Sequence, residues 1–205
     1  MKMTDNDFES LYKRQEGDSA FEAARKERLK SAFDEFSHKP DRTAFKEYLK
    51  NKITDMGKLT PYILKQQYSS FQKDKALSAL ADKVAAEYEQ YISDLKKQDP
   101  DKIIKSAYEI YNKDYIVDFC NTNTLYMDLE DIQVLIETDN VLDEIYQEWD
   151  SMTQLNGVAE IDTAIEDTAY RLKSAKAVKQ VMEQRKAEEQ LSDTPAHKVP
   201  KHSRR

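Results

Sequence analysis

An all-α fold is what this sequence predicts: a multi-helix domain with a long C-terminal helix and a disordered basic tail. Two observations carry that expectation. Apolar residues recur at steps of three and four along nearly the whole chain, which is the spacing of one helix face. No hairpin dipeptide or strand alternation interrupts them. Only three glycines occur, Gly17, Gly57 and Gly157. Loops that cradle phosphates or dinucleotides need several glycines to bring backbone against a ligand, so those functions are excluded as well.

The elements follow in order. Ser19 and Glu22 form a capping-box pattern, opening a helix whose apolar stripe is Phe21, Leu29, Ala32, Phe33 and Phe36. Pro40-Asp41 restarts the chain into Phe45, Tyr48, Leu49, Ile53 and Met56, with Gly57 where a C-cap belongs. Thr60-Pro61 supplies an N-cap and a first helical residue for Ile63, Leu64, Gln67, Tyr68 and Phe71. These helices make an N-terminal group over residues 1–72. A central helical domain is expected over 74–150. Its most regular stripe is Leu77, Leu80, Ala81, Val84, Tyr88, Tyr91, Ile92 and Leu95. Asp99-Pro100 starts a helix that turns Ile103, Ile104, Ala107, Tyr108 and Tyr111 toward the core. Shorter helices are expected over 115–120, 128–137 and 141–149, with a polar loop at 121–124.

Asn156-Gly157 reads as a turn into a long helix over 157–190. Val158, Ile161, Ile165, Thr168, Leu172, Ala175, Lys179 and Met182 alternate steps of three and four, a heptad spacing with thin core positions. Such a seam either docks along the body or joins two copies, and Ile161, Ile165 and Leu172 are the candidates for homodimer contacts. The tail, 191–205, holds prolines, histidines and basic ends. No apolar run spans a bilayer and the first residues lack an apolar signal core, so the expected location is cytoplasmic and no membrane partner is expected.

Charge is distributed unevenly. Residues 1–99 carry 19 basic and 18 acidic side chains, residues 100–170 carry 3 and 17, and residues 171–205 carry 10 and 4. Between Lys113 and Arg171 there are 15 carboxylates and no Lys or Arg. Self-repulsion makes such a surface costly unless something meets it. One answer is a basic partner, contacted through Asp128, Glu130, Asp131, Asp139, Asp143, Glu144, Glu148 and Asp150. Tyr126 and Tyr146 stand among them as aromatic anchors for an Arg-rich surface. The other answer is internal: the basic stretch from Arg171 folds back and neutralises the face. Direct nucleic-acid binding is disfavoured, because the acidic block repels phosphates.

Catalytic chemistry finds little footing. Of the histidines, His38 sits at a helix end, and His197 and His202 lie in the tail. A single cysteine, Cys120, forms no internal disulfide and sits on an apolar face with Tyr115, Ile116 and Phe119. Asp128-Leu129-Glu130-Asp131 brings carboxylates together as a metal-dependent nuclease does, but no lysine lies near them in sequence. A helix N-cap at Asp128, ahead of Leu129, Ile132, Leu135 and Ile136, fits better. Residues 139–150 lack the glycine and ligand spacing of a calcium loop. No enzyme, metal or cofactor is expected.

From Tyr88 to Trp149 the chain runs through the acidic-aromatic helix around Glu87 to Leu95, the start at Pro100, Ala107-Tyr108-Glu109, and Leu142-Asp143-Glu144-Ile145-Tyr146 with Trp149. This stretch, about a third of the chain, resembles a small helical domain of unknown function carried on conjugative and phage-like elements of Gram-positive bacteria. That context includes anti-restriction and anti-CRISPR inhibitors, some of which imitate the charge of DNA. The resemblance implies a mobile-element anti-defence protein that binds and inhibits an RNA-guided nuclease, a basic nucleic-acid-binding protein, through an acidic face. A helical scaffold or oligomerising protein of the same elements is the alternative.

Overall fold

The computed structural model describes residues 5–52, 59–122, 125–156 and 160–192. Among them every regular element is helical: α1 (Asp5–Ser10), α2 (Ala20–Ser37), α3 (Arg42–Lys52), α4 (Pro61–Leu95), α5 (Pro100–Lys105), α6 (Ala107–Thr122), α7 (Leu129–Glu137), α8 (Val141–Asn156) and α9 (Ile161–Ser192). The expected cap at Gly57, the turn residue Gly157 and the tail from 193 lie outside the described residues. No described helix is long and apolar enough to cross a membrane.

Local chemistry sets several boundaries. The Ser19 side chain accepts from the Glu22 backbone N–H while the Glu22 side chain accepts from the Ser19 N–H, which satisfies two orphan donors at the start of α2. Thr60 Oγ1 accepts from the Ile63 N–H at 3.2 Å, and Asp99 accepts from the Asp101 N–H at 2.9 Å ahead of Pro100. Several elements differ from expectation: α1 has no expected counterpart, α6 takes in Asn121 and Thr122 of the expected loop, and α8 continues past 149 to Asn156. The helices expected around 61–71 and 77–95 are one 35-residue helix, because no Gly or Pro lies between Phe71 and Leu77 to break it. The helix expected after Pro100 divides at Ser106 into α5 and α6, and α6 runs on through residues 115–120.

Two compact units divide the chain, Met1–Ala76 and Leu77–Arg205, with the boundary inside α4. Unit 1 is held by a core that includes Phe8, Leu11, Leu29, Phe45, Leu49 and Leu64. Phe45 meets Tyr68 edge-on at 4.9 Å and Phe71 at 5.4 Å, while Phe36 lies 4.6 Å from Tyr68. Aromatic pairs at these separations add to the stabilisation that burial alone provides. Phe21, expected in the α2 stripe, is instead 81% exposed. It sits in the first turn, ahead of the residues α2 buries at Leu29 and Ala32.

Unit 2 buries Leu80 and Val84 of α4, Ile116 of α6, Ile132 and Leu135 of α7, Leu142 and Ile145 of α8, and Ile165 of α9. Helix α9 packs against α7 and α8, and α6 packs against α8. A carboxylate on α4 fixes the start of α8: Glu87 accepts from the Leu142 N–H at 2.8 Å and pairs with Lys83 at 3.2 Å. That placement satisfies an orphan donor and sets negative charge at a helix N-terminus, where the dipole favours it. Asn140, at φ 55°, turns the chain from α7 into α8, a left-handed conformation that asparagine tolerates better than most residues.

Candidate partner-binding site

Seven of the 15 carboxylates of the acidic block lie on α7 and α8, and α9 packs against both. Heptad-spaced Ile161, Ile165 and Thr168 turn inward, and the basic residues that follow reach the carboxylates. Arg171 donates from Nη2 to Glu144 at 2.7 Å and from Nε to Glu148 at 3.1 Å. Lys173 lies 2.8 Å from Asp131 and 3.2 Å from Glu130, and Lys176 pairs with Glu137. The guanidinium and the Lys173 ammonium are both held above their ordinary pKa, chiefly by hydrogen bonds to Glu144 and to Asp131 respectively. These pairs are at the surface, where each contributes only about 0–1 kcal/mol. Their main effect is to cancel charge.

The residues expected to meet a partner therefore divide. Glu130, Asp131, Glu144 and Glu148 are engaged by α9, and Asp143 by Lys113 of α6. Asp150 is half-buried and makes contacts within the chain. Asp128 and Asp139 are exposed and form no ion pair with a described residue. Asp128 occupies the N-cap position of α7 in extended conformation, but its side chain makes no capping hydrogen bond. Tyr126 is 89% exposed, whereas Tyr146 is half-buried with the Lys113 ammonium 5.4 Å from its ring centre. Trp149 is half-buried and stacks on Tyr115 at 5.7 Å. Ile161 and Ile165, the homodimer candidates, are buried within the chain because the seam docks on α7 and α8, and Leu172 is half-buried.

The chain matches no protein-family model, no curated protein and no solved structure.

Helix α6 holds what sequence reading missed. Its buried positions are Asn112, Lys113 and Ile116. Ile104, Ala107, Tyr108 and Tyr111, expected inside, face outward, and Tyr115 does too. Lys113 is 2% exposed, sits 3.9 Å over the Tyr91 ring and pairs with Glu109 at 2.7 Å and with Asp143. A buried ammonium is tolerated only when paired and hydrogen-bonded, and a π-face adds to that support. The signal for this inversion is the absence of positive charge after Lys113: it is the last cation before the acidic block and the one nearest to it in sequence.

Catalytic candidates stay as isolated groups. Cys120 is half-buried, and burial pushes its thiol up to about 12, which leaves no thiolate for nucleophilic chemistry at neutral pH. His38 is exposed, while His197 and His202 lie outside the described residues. The Glu130–Asp131 pair does receive a lysine, Lys173, from far along the chain. Among the described residues no group of three or more His, Cys, Asp or Glu side chains is placed to hold a metal ion.

Proposed function

We propose that the chain is a binding protein without catalytic chemistry of its own, used by a mobile genetic element against host defence. Its acidic unit 2 engages the basic nucleic-acid groove of an RNA-guided nuclease, competing with phosphates for lysines and arginines there. One observation carries this reading. Counting the cations of α9 and the tail, residues 77–205 still hold a net charge of −10, against +3 for residues 1–76. The resemblance of residues 88–149 supports the mobile-element context.

The internal ion pairs change which carboxylates are available. Asp118, Asp128, Asp139, Glu166 and Asp167 are exposed and form no ion pair with a described residue, so they replace Glu130, Asp131, Glu144 and Glu148 as the contact set. The test is capture of an RNA-guided nuclease at low and high salt. Binding should fall steeply as salt rises. Asp118→Lys with Asp128→Lys and Asp139→Lys should abolish it, while Arg171→Ala with Lys173→Ala, which uncovers four carboxylates, should preserve or tighten it. Salt-independent capture, or a charge-reversed protein that still binds, sinks the proposal.

A further inference from the structure

Unit 2 carries two helix faces that are largely open, the first of them covered only at its Tyr115 end, where Trp149 stacks on the ring. The first runs along α5 and α6. Ile104, Tyr108, Tyr111 and Tyr115 follow one another at steps of four, three and four, which places them on one side of a helix. The joint at Ser106 keeps that phase, since the Ser106 N–H still donates to the Lys102 carbonyl and the Ile110 N–H to the Ser106 carbonyl. Ile104 is 71% exposed and Tyr111 69%. Asp114 and Asp118 lie along one edge of this ladder, both exposed. Helices usually bury such a stripe. Here the same element buries Asn112 and Lys113 instead, and a local rule broken at this energetic cost marks a surface kept for contact.

The second face is the distal part of α9. Residues 173–188 are all exposed, although α9 is tightly docked as far as Ala169. The docked seam continues into Lys176, Lys179 and Glu183. Val178, Val181 and Met182, each about half-exposed, gather on a neighbouring face together with Arg185, at 100° per residue. This arm is aliphatic with basic residues Lys179, Arg185 and Lys186 on or beside its face. The ladder is aromatic with one acidic edge, Asp114 and Asp118. Sixteen helical residues span about 24 Å and the ladder about 17 Å, so the arm is long enough to cover it.

We propose that the chain forms a reciprocal dimer in which the α9 arm of each copy lies on the α5–α6 ladder of the other. Arginine and lysine meet Asp114 and Asp118 and stack on tyrosine faces, while Val178 and Met182 cover Tyr108 and Tyr111. When both contacts form within one pair the exchange is two-fold and closes at two copies, because no arm or ladder is left over. It uses surfaces distinct from the buried Ile161–Ile165 seam and does not rest on the nuclease reading.

The measurement is solution mass against concentration, by sedimentation or light scattering. Wild-type protein should rise from 23.9 kDa toward twice that mass and no further. Tyr111→Asp alone and Met182→Asp alone should each weaken association at least tenfold, with helicity unchanged because both positions are exposed. An equimolar mixture of the two variants should recover dimer, since only the mixed pair brings an intact ladder to an intact arm. A protein that stays at 23.9 kDa, growth beyond two copies, or a dimer indifferent to both substitutions overturns the proposal.

Discussion

In unit 1 the helices turn phenylalanines and leucines inward, around Phe45 and its neighbours Tyr68 and Phe71. In unit 2, α6 turns tyrosines outward and buries a lysine. Unit 1 has a buried lysine as well, but Lys50 sits in the last turn of α3 and pairs with the adjacent Glu47 at 2.7 Å, a position the helix dipole supports. Lys113 is mid-helix and partnered by Asp143, 30 positions away in sequence. The lesson is one of energy sources. Unit 1 is stabilised by apolar burial, whereas part of unit 2 depends on an ion pair set among aromatic rings.

The largest effect that tests this contrast is Phe45→Ala. Truncating a fully packed phenylalanine costs about 3–5 kcal/mol. Trp149, the only tryptophan, belongs to unit 2, so its fluorescence follows that unit, while far-UV circular dichroism follows both. The substitution should move the early part of the dichroism transition to lower denaturant and leave the Trp149 transition in place. If both shift together, the units unfold as one and the division at Ala76 has no thermodynamic meaning.

A smaller effect should appear for Lys113→Met, which keeps the stem and removes the charge. Breaking a buried pair costs about 3–5 kcal/mol. Glu109 and Asp143 keep part of their contact with water, so the loss here should be about 2–3 kcal/mol. It should be read in the Trp149 transition, because Lys113, Tyr146 and Trp149 all belong to α6 and α8. An unchanged or raised midpoint would mean that Lys113 contributes packing alone and that unit 2 rests on apolar burial like unit 1.

How much of this was legible in sequence follows from the range of the interactions. Ser19–Glu22, Thr60-Pro61 and Asp99-Pro100 marked helix starts because capping acts within three residues. Of the stripe from Leu77 to Leu95, Leu80, Ala81, Val84 and Leu95 are buried as the spacing implied, while Leu77, Tyr88, Tyr91 and Ile92 are half-buried. On α6 the same rule failed: Tyr108 and Tyr111 satisfy helical periodicity as well as Asn112 and Ile116 do, and a tyrosine is amphipathic enough to face either way. Which side turned inward depended on Asp143, and no periodicity connects residues 113 and 143. The acidic block was plain in composition, but its pairing with Arg171 and Lys173 is a tertiary fact. Sequence reading could name internal neutralisation as one of two outcomes and could not choose between them.

The smallest effect isolates the aromatic part of the Lys113 site. The Tyr91 hydroxyl is buried and has no hydrogen-bond partner among the described residues. Burial, with the Glu109 carboxylate nearby, pushes its phenol up from 10.0 to about 12. A folded-state value above the unfolded one means that the folded protein holds this proton longer. The associated stability is fully present below about pH 10 and is lost as pH rises toward about 12. Tyr91→Phe removes the hydroxyl and keeps the ring under the Lys113 ammonium. At neutral pH stability should stay level or rise slightly, since an unpaired buried polar group is gone. Between pH 10 and 12 the wild type should lose stability relative to the variant. The difference between the two proteins is what decides, because every other group is common to both. Curves that remain parallel through that window would mean that the Tyr91 hydroxyl is hydrated in solution, and that the ring contributes to the Lys113 site through its face alone.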